Sequence, residues 1–253
     1  MTTVTPAADV EAIERATIAA VSPEAVEELD GWLLAFDSGV VGRAKCAVPL
    51  RFDGIEPAAI GAIEARYAAH AMPPMFRIAD APGLRRVRER LTARAFHATR
   101  PTLVQIAPTA AVRRLRVPGG KSVDVHVAPQ PDAAWIAAFL GEGFDPVEGE
   151  SRSRTLARGT GTLFGSVREG DVAIGAGALS ISHGWASVHG MRTAKARRGE
   201  GIAGRILSAF AGIAAERGVS RMFLQVEAHN PAAISLYRRA GFATAWSYAY
   251  WEA

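Results

Sequence analysis

Residues 196–207, ARRGEGIAGRIL, carry two overlapping patterns, and the choice between them decides the fold. Gly199, Gly201 and Gly204 spell G-x-G-x-x-G, the spacing of a dinucleotide-binding turn. Read from Arg198, the same letters spell R-x-x-G-x-A, with Gly201 and Ala203 in the last two places. Either way a helix N-terminus follows, and its free N–H groups and partial positive charge favour an anion. Three features weigh against the dinucleotide. The preceding strand, WASVHGMRT (185–193), alternates and carries polar residues, whereas a central parallel strand is a nearly continuous apolar run. AKAR separates that strand from Arg198, whereas a dinucleotide turn follows its strand almost at once. Too few residues follow Gly204 for a second mononucleotide half. Glu227 ends the next strand, roughly where a ribose-binding acid would stand, but it does not outweigh these three.

Outward from the turn, the helix GIAGRILSAFAGIAAER puts Ile202, Ile206, Phe210 and Ile213 on one face and stops at Gly218. Upstream, GTLFGSV, VAIGAGALSIS and WASVHGMRT are joined by the short turns REGD and HG, so these strands run antiparallel. Downstream come the strand MFLQVE, the helix PAAISLYRRA ended by Gly241, and the strand TAWSYAYW. VDVHVAP (strand) and PDAAWIAAFLGE (helix) open this rear half.

The front half reads as helices at VEAIERATIAA and SPEAVEEL, where Ser22 caps and Pro23 fits a first turn. GWLLAF, the turn DSG and VVGRAKCAV follow as a hairpin. Then come helix EPAAIGAIEARYAAHA, with Ile60, Ile63 and Tyr67 on one face, strand MFRIA, helix LRRVRERLTAR and strand TLVQIA. RVPGGKS is the best linker. The expected division is therefore 1–121 and 122–253.

The chain is 49% apolar and 21% charged, an ordinary globular composition, with a formal net charge of +4. No apolar run approaches the ~18 residues of a membrane span, and the start has no apolar signal core, so a cytoplasmic protein without membrane contact is expected. Cys46 is the sole cysteine, which excludes internal disulfides and cysteine-based zinc sites; in an apparent strand it reads as a buried thiol rather than a nucleophile. Arg85, Arg86, Arg88 and Arg90 occupy the solvated face of a helix whose buried stripe is Leu84, Val87 and Leu91. No interleaved aromatics offer bases a platform, so a nucleic-acid partner is not expected. A basic chain that binds a polyanionic cofactor needs no other partner.

MRTAKARRGEGIAGRIL resembles the acetyl-CoA motif of the GNAT acyltransferase superfamily, with Arg198, Gly201 and Ala203 on its R-x-x-G-x-G/A positions. LQVEAHNPAAISLYRRAGF is similar to the superfamily's second motif, with Asn230, Ala233, Tyr237, Gly241 and Phe242 on the expected spacing. The resemblance covers roughly residues 122 to 253. DGWLLAFDSGVVGRAKCAVPL is similar to the N-terminal part of two-domain bacterial GNAT proteins, whose front domain looks like a degenerate copy of the same fold. The resemblance implies an α/β (α+β) fold of two GNAT-like domains, each a mixed, largely antiparallel sheet flanked by helices. Residues 1–120 carry no R-x-x-G-x-A, so only the rear domain is expected to bind the cofactor.

The resemblance further implies an N-acetyltransferase in which an amine attacks the acetyl-CoA thioester directly, with no metal. Gly199 and Gly201 would let backbone approach the pyrophosphate, with Glu200, Ile202 and Gly204 in the same turn and Lys195, Arg197 and Arg198 adding charge. Met191 and Thr193, with Arg192 between them, would hold pantetheine through backbone where two strands splay, and Met191 N–H would face the oxyanion. Asn230 and Ala233 begin the following helix. Tyr237 would protonate the leaving thiolate. His189, two residues before Met191, shares its face if the strand is regular and is one candidate base. Glu227, directly or through water, is the other, and His229 is expected to have no chemical role. A catalytically silent acyl-CoA-binding or sensor protein is the rival reading. The acceptor, a small molecule or peptide, would be chosen by loops around DPVEGESRSRT (145–155) and by the front domain. Monomer and homodimer both remain open.

Overall fold

In a computed structural model, residues 7–116, 124–141 and 145–253 are described. The front half runs α1 (Ala7–Val21), β1 (Ala25–Leu29), β2 (Trp32–Phe36), a 3-10 turn at Gly42–Ala44, β3 (Ala47–Pro49), α2 (Ala59–Ala69), β4 (Phe76–Ala79), α3 (Arg85–Ala93), β5 (His97–Pro108) and α4 (Thr109–Arg113). The rear half runs β6 (Val125–Ala128), α5 (Ala133–Leu140), α6 (Pro146–Ala157), β7 (Leu163–Glu169), β8 (Val172–Ser182), β9 (Trp185–Thr193), α7 (Ile202–Glu216), β10 (Arg221–Glu227), α8 (Pro231–Arg239) and β11 (Ala243–Glu252).

Among the described residues, eleven strands form one open, mostly antiparallel sheet in the order β1-β2-β3-β4-β11-β5-β10-β9-β8-β7-β6. The expected boundary at 121/122 lies outside the described residues, while the sheet itself runs unbroken between the halves. Its centre is the antiparallel pair β11/β5. Outward from that pair, each side repeats one sequence of pairings: antiparallel to β4 or β10, parallel to β3 or β9, then antiparallel to β2 and β1 or to β8 and β7.

The two halves exchange their last strands. β5, from the front, pairs with β10, and β11, from the rear, pairs with β4. Trp246, Tyr248, Tyr250 and Trp251 of β11 are all buried in the same core as Trp32, Tyr67 and Phe76 of the front half. Each such side chain buries ~150–250 Å², worth about 4 kcal/mol or more at ~25 cal/mol/Å². Because β11 supplies four of them to the front core, the exchange is part of what holds the fold.

α7 covers one face of the rear strands, its Ile206, Leu207 and Phe210 buried with Val188, Met222 and Leu224. A Cβ on Gly175 would run into Ile202, and one on Gly177 into Met191, so glycine there sets how closely α7 approaches. The opposite face carries α5, whose Trp135 Nε1 donates to the carbonyls of Gly165 and Gly177 at 3.1 and 3.0 Å, and α1, which spans β8 and β9.

Three local expectations need correction. SPEAVEEL is not helical: Ser22 N donates to Ile18 O at the end of α1, and residues 25–29 form β1. Asp30 (φ 48°) and Gly31 (φ 82°) make the two-residue turn that pairs β1 with β2, so tertiary pairing overrides the helical reading. VVGRAKCAV supplies strand only at its end, because Gly42–Ala44 winds into a 3-10 turn. Around DPVEGESRSRT (145–155), where loops are expected, residues 146–157 form α6; Asp145 caps it by accepting from Glu148 N at 2.9 Å. The expected linker core, 117–122, lies outside the described residues.

Candidate active site

β9 and β10 run parallel, so their C-terminal ends and the helices that follow open on one edge of the sheet. Register pairs Ala186 with Met222, Ser187 with Phe223 and Val188 with Leu224, and goes no further. Past Val188 the strands part, and β9 holds only to β8. Such a gap between parallel strands leaves backbone groups facing open space.

β9 is also bulged there. Ala178 faces His189 and Ala176 faces Arg192, so Gly190 and Met191 together oppose Gly177 alone. Gly190 has φ 60°, and a Cβ on it would meet Phe139 and Leu156 on the α5/α6 side. Met191 instead packs with the α7 core. The expected shared face of His189 and Met191 is therefore not found, because the strand is not regular. His189 points to the α5/α1 side, its ring edge-on to Phe223 and its Nε2 2.8 Å from Ser187 Oγ.

After Thr193 the chain passes through a 3-10 turn at Lys195–Arg197 and an extended Arg198 to Gly199 (φ 88°) and Gly201 (φ 79°). Gly201 is the N-cap of α7 in the left-handed region, which glycine enters without steric cost. No side chain caps this helix, so its first-turn N–H groups stay available, and a Cβ at Gly199 would meet nothing within 4 Å. The turn is an open cradle for an anion, and the residues fit a pyrophosphate. Arg197 takes a different part from the one expected: its guanidinium is bound to Glu200 at 2.8 Å and to Glu169, which braces the turn. Arg192 is half-buried, and desolvation with the nearby charges of Arg152 and Arg198 lowers its pKa.

α8 starts at the same edge. Asn230 caps it, accepting from Ala233 N at 3.1 Å. Tyr237, 7% exposed, lies among Val226, Ala240 and Phe242, and burial pushes its phenol up to about 12. It keeps its proton at neutral pH, and its hydroxyl takes no hydrogen bond among the described residues.

The opposite face holds the two candidate bases. Burial, reinforced by the charge of Arg43, pushes His189 down to about 3, so its imidazole is neutral in ordinary buffers. Its Nδ1 is buried without a partner. Glu227 alternates with Phe223 and Gln225 on β10, so it shares that face, and it is exposed at the end of the strand. His229 lies exposed in the loop before α8.

Sequence reading missed Arg43, Gln225 and Tyr248. Arg43 Nη1 donates to Gln225 Oε1 at 3.4 Å, and Tyr248 OH donates to the same oxygen at 2.8 Å. Strand alternation could have flagged Gln225, but Arg43 and Tyr248 come from the front half and from the exchanged strand. Cys46 is buried as expected, and burial pushes its thiol up. Among the described residues no cluster of His, Cys, Asp or Glu could hold a metal ion, and no helix is long and apolar enough to cross a membrane.

Comparison with known proteins places these features in context. The model of the family described as probable histone acetyltransferase Rv0428c C-terminal matches residues 7–251. The uncharacterized N-acetyltransferase YobR of Bacillus subtilis (strain 168) is 29% identical over 115 residues, 45% of this chain and 47% of YobR. The match thus spans about half the length of that curated relative. A GCN5-related N-acetyltransferase from Kribbella flavida superposes with a TM-score of 0.68 at 16% identity, over 96% of this chain and 95% of that one. A tandem GNAT protein from the clavulanic acid biosynthesis pathway gives 0.60 at 13% identity, over 99% and 97%. At such identities these two structures speak for the fold alone.

Proposed function

This chain belongs to the probable histone acetyltransferase Rv0428c C-terminal family and is an acetyltransferase of the GNAT type, and on that premise we propose that it transfers an acetyl group from acetyl-CoA to an amine by direct attack. The observation that carries the reading is the parting of β9 and β10 at the same sheet edge as the uncapped N-terminus of α7. Residues 122–253 would do the chemistry, with 1–121 as a related copy without a cofactor turn. The repeated strand order supports that division.

Acetyl-CoA supplies an activated thioester. The α7 N-terminus, with Arg198, Gly199, Glu200, Gly201, Ile202, Ala203 and Gly204, would bind its pyrophosphate. Met191, Arg192 and Thr193, on the strand bordering the gap, would hold the pantetheine arm through backbone, and Met191 N–H would donate to the developing oxyanion. Tyr237 would hold its proton until the C–S bond breaks and then give it to the sulfur, a role that its raised pKa supports. The acceptor nitrogen, attacking from the other face, forms the new C–N bond and must shed a proton. Glu227, directly or through water, is better suited to take it than His189, whose lowered pKa makes it a poor acceptor.

An amine screen with acetyl-CoA tests the reading. Thiol release accompanied by a 42-Da gain on one amine class, by mass spectrometry, is expected. Tight acetyl-CoA binding without transfer to any small amine or peptide would return the chain to a binding role.

A further inference from the structure

Arg43 lies half-buried where the front half's 3-10 turn meets the rear sheet. Its one partner among the described residues is an amide oxygen, Gln225 Oε1 at 3.4 Å, and no carboxylate lies within ion-pair distance. A guanidinium offers five N–H donors, and none of Arg43's is buried without a partner, so those not used on Gln225 face solvent and are available to a ligand. Gln225 cannot turn to cover them. Its Oε1 is also taken by Tyr248 OH at 2.8 Å, and its Nε2 donates to Thr17 Oγ1 at 2.9 Å, which in turn donates to Ile13 O.

Nearby acids of the front half are committed elsewhere, each to its own partner. Glu14 is held in the buried pair with Arg77, Asp37 is bound to Arg158, and Glu24 is shared between Ser38 and Arg158. Beside Arg43, His189 is neutral and its Nδ1 is unpartnered although the residue is only 4% exposed. This face therefore carries a forked cation above a buried, unpartnered ring nitrogen. Glu227, exposed at the end of β10, stands two residues beyond Gln225.

We propose that Arg43 receives a carboxylate of the acceptor, so that the amines acetylated here are ones that carry an acid group, as amino acids do. The proposal rests on the acyl-transfer reading above. The planar fork of arginine matches a carboxylate through two parallel hydrogen bonds. Glu227 and Gln225 are separated by about 7 Å along the strand, a span of a few covalent bonds. An ammonium held near Glu227 and a carboxylate on the Arg43 side of Gln225 fit one small molecule. The front half thereby acquires a role in specificity, although it lacks the cofactor turn.

Thermal-shift titrations of the full chain with coenzyme A, which cannot donate acetyl, test this without requiring turnover. The probes are glycine, β-alanine, γ-aminobutyrate, glutamate and lysine, each against its carboxamide. At least one carboxylate is expected to bind the parent roughly tenfold to a hundredfold more tightly than its carboxamide, the range of a charge-assisted hydrogen bond. Arg43→Gln should erase that preference and Arg43→Lys keep part of it, with the ligand-free melting temperatures reporting whether each variant folds. Equal binding of acid and amide, no stabilisation by any carboxylate, or a preference that survives in Arg43→Gln would overturn the proposal. Absence of acetyl transfer in the amine screen would instead strike the acyl-transfer reading, so the two failures are distinguishable.

Discussion

The front and rear halves present the same run of strand pairings to the shared β11/β5 centre, yet they treat the turns after the matching strands β3 and β9 in opposite ways. In the rear, β9 leads into Lys195, Arg197, Arg198 and two left-handed glycines before α7, and β9 has already parted from β10. In the front, the segment between β3 and α2 carries Asp53 and Glu56, and Ile55 is buried in the core. These carboxylates precede α2, whose first turn holds no acid and no side-chain cap, and their charge disfavours a pyrophosphate there. The front half also buries the pair Arg77–Glu14 beside Cys46, 1% and 2% exposed, with Arg77 Nη1 donating to Glu14 Oε1 at 3.1 Å. One arrangement of strands thus serves as scaffold on one side and as an open site on the other, and local charge and glycine placement make the difference.

Cutting the chain within 117–123 should break the comparison most severely. The rear piece would lose β5 from beside β10, and the front piece would lose the β11 aromatics from its core. Neither piece alone should show a cooperative thermal transition, and mixing the two should restore one. Independent melting of residues 122–253 would mean that the exchange is dispensable.

Glu14→Ala comes next. It leaves Arg77 charged and buried without its partner, a loss of roughly 3–5 kcal/mol. Urea denaturation reads it directly, and a change below about 1 kcal/mol would show that water or another group replaces Glu14.

Tyr237→Phe removes a proton donor in the rear half alone. Turnover should fall on the order of 100-fold with little change in the Michaelis constant for acetyl-CoA. If kcat holds while chemistry is rate-limiting, Tyr237 is a packing residue.

The smallest effect concerns His189. Burial lowers its pKa to about 3, so as pH falls the unfolded chain binds this proton first. The stability due to neutral His189 is complete above about pH 6.5 and declines as pH drops toward 3. Between pH 7 and 5 the loss amounts to about 2 kcal/mol. His189→Gln should flatten that part of the stability curve, and an unchanged slope would show that the imidazole protonates without unfolding.

Much of this was legible in the residues. Apolar periodicity marked α1, α2, α3, α5, α7 and α8, and the short turns REGD and HG marked β7–β9, because those elements bury a face that their own spacing reveals. AVEEL was misread because its alternation lies within a helix-forming composition, and only the Asp30–Gly31 turn, which was overlooked, fixes it as a strand. α6 was missed because its surface is polar and contains Gly149, although D-x-x-E at its start is a capping signal. The glycine turn and Tyr237 were visible as spacing. The bulge that turns His189 away from Met191, and the meeting of Arg43 with Gln225, were not, since both depend on how strands far apart in sequence register against each other.

Calorimetric titration of the full chain with acetyl-CoA bears most directly on the division between the halves. It should give a single equivalent per chain, lost in Gly201→Val, whose branched side chain cannot adopt the left-handed cap, and retained in Glu56→Gln at the front turn. Two equivalents, or one that survives Gly201→Val and disappears with the front-turn change, would contradict the assignment of the cofactor to the rear half.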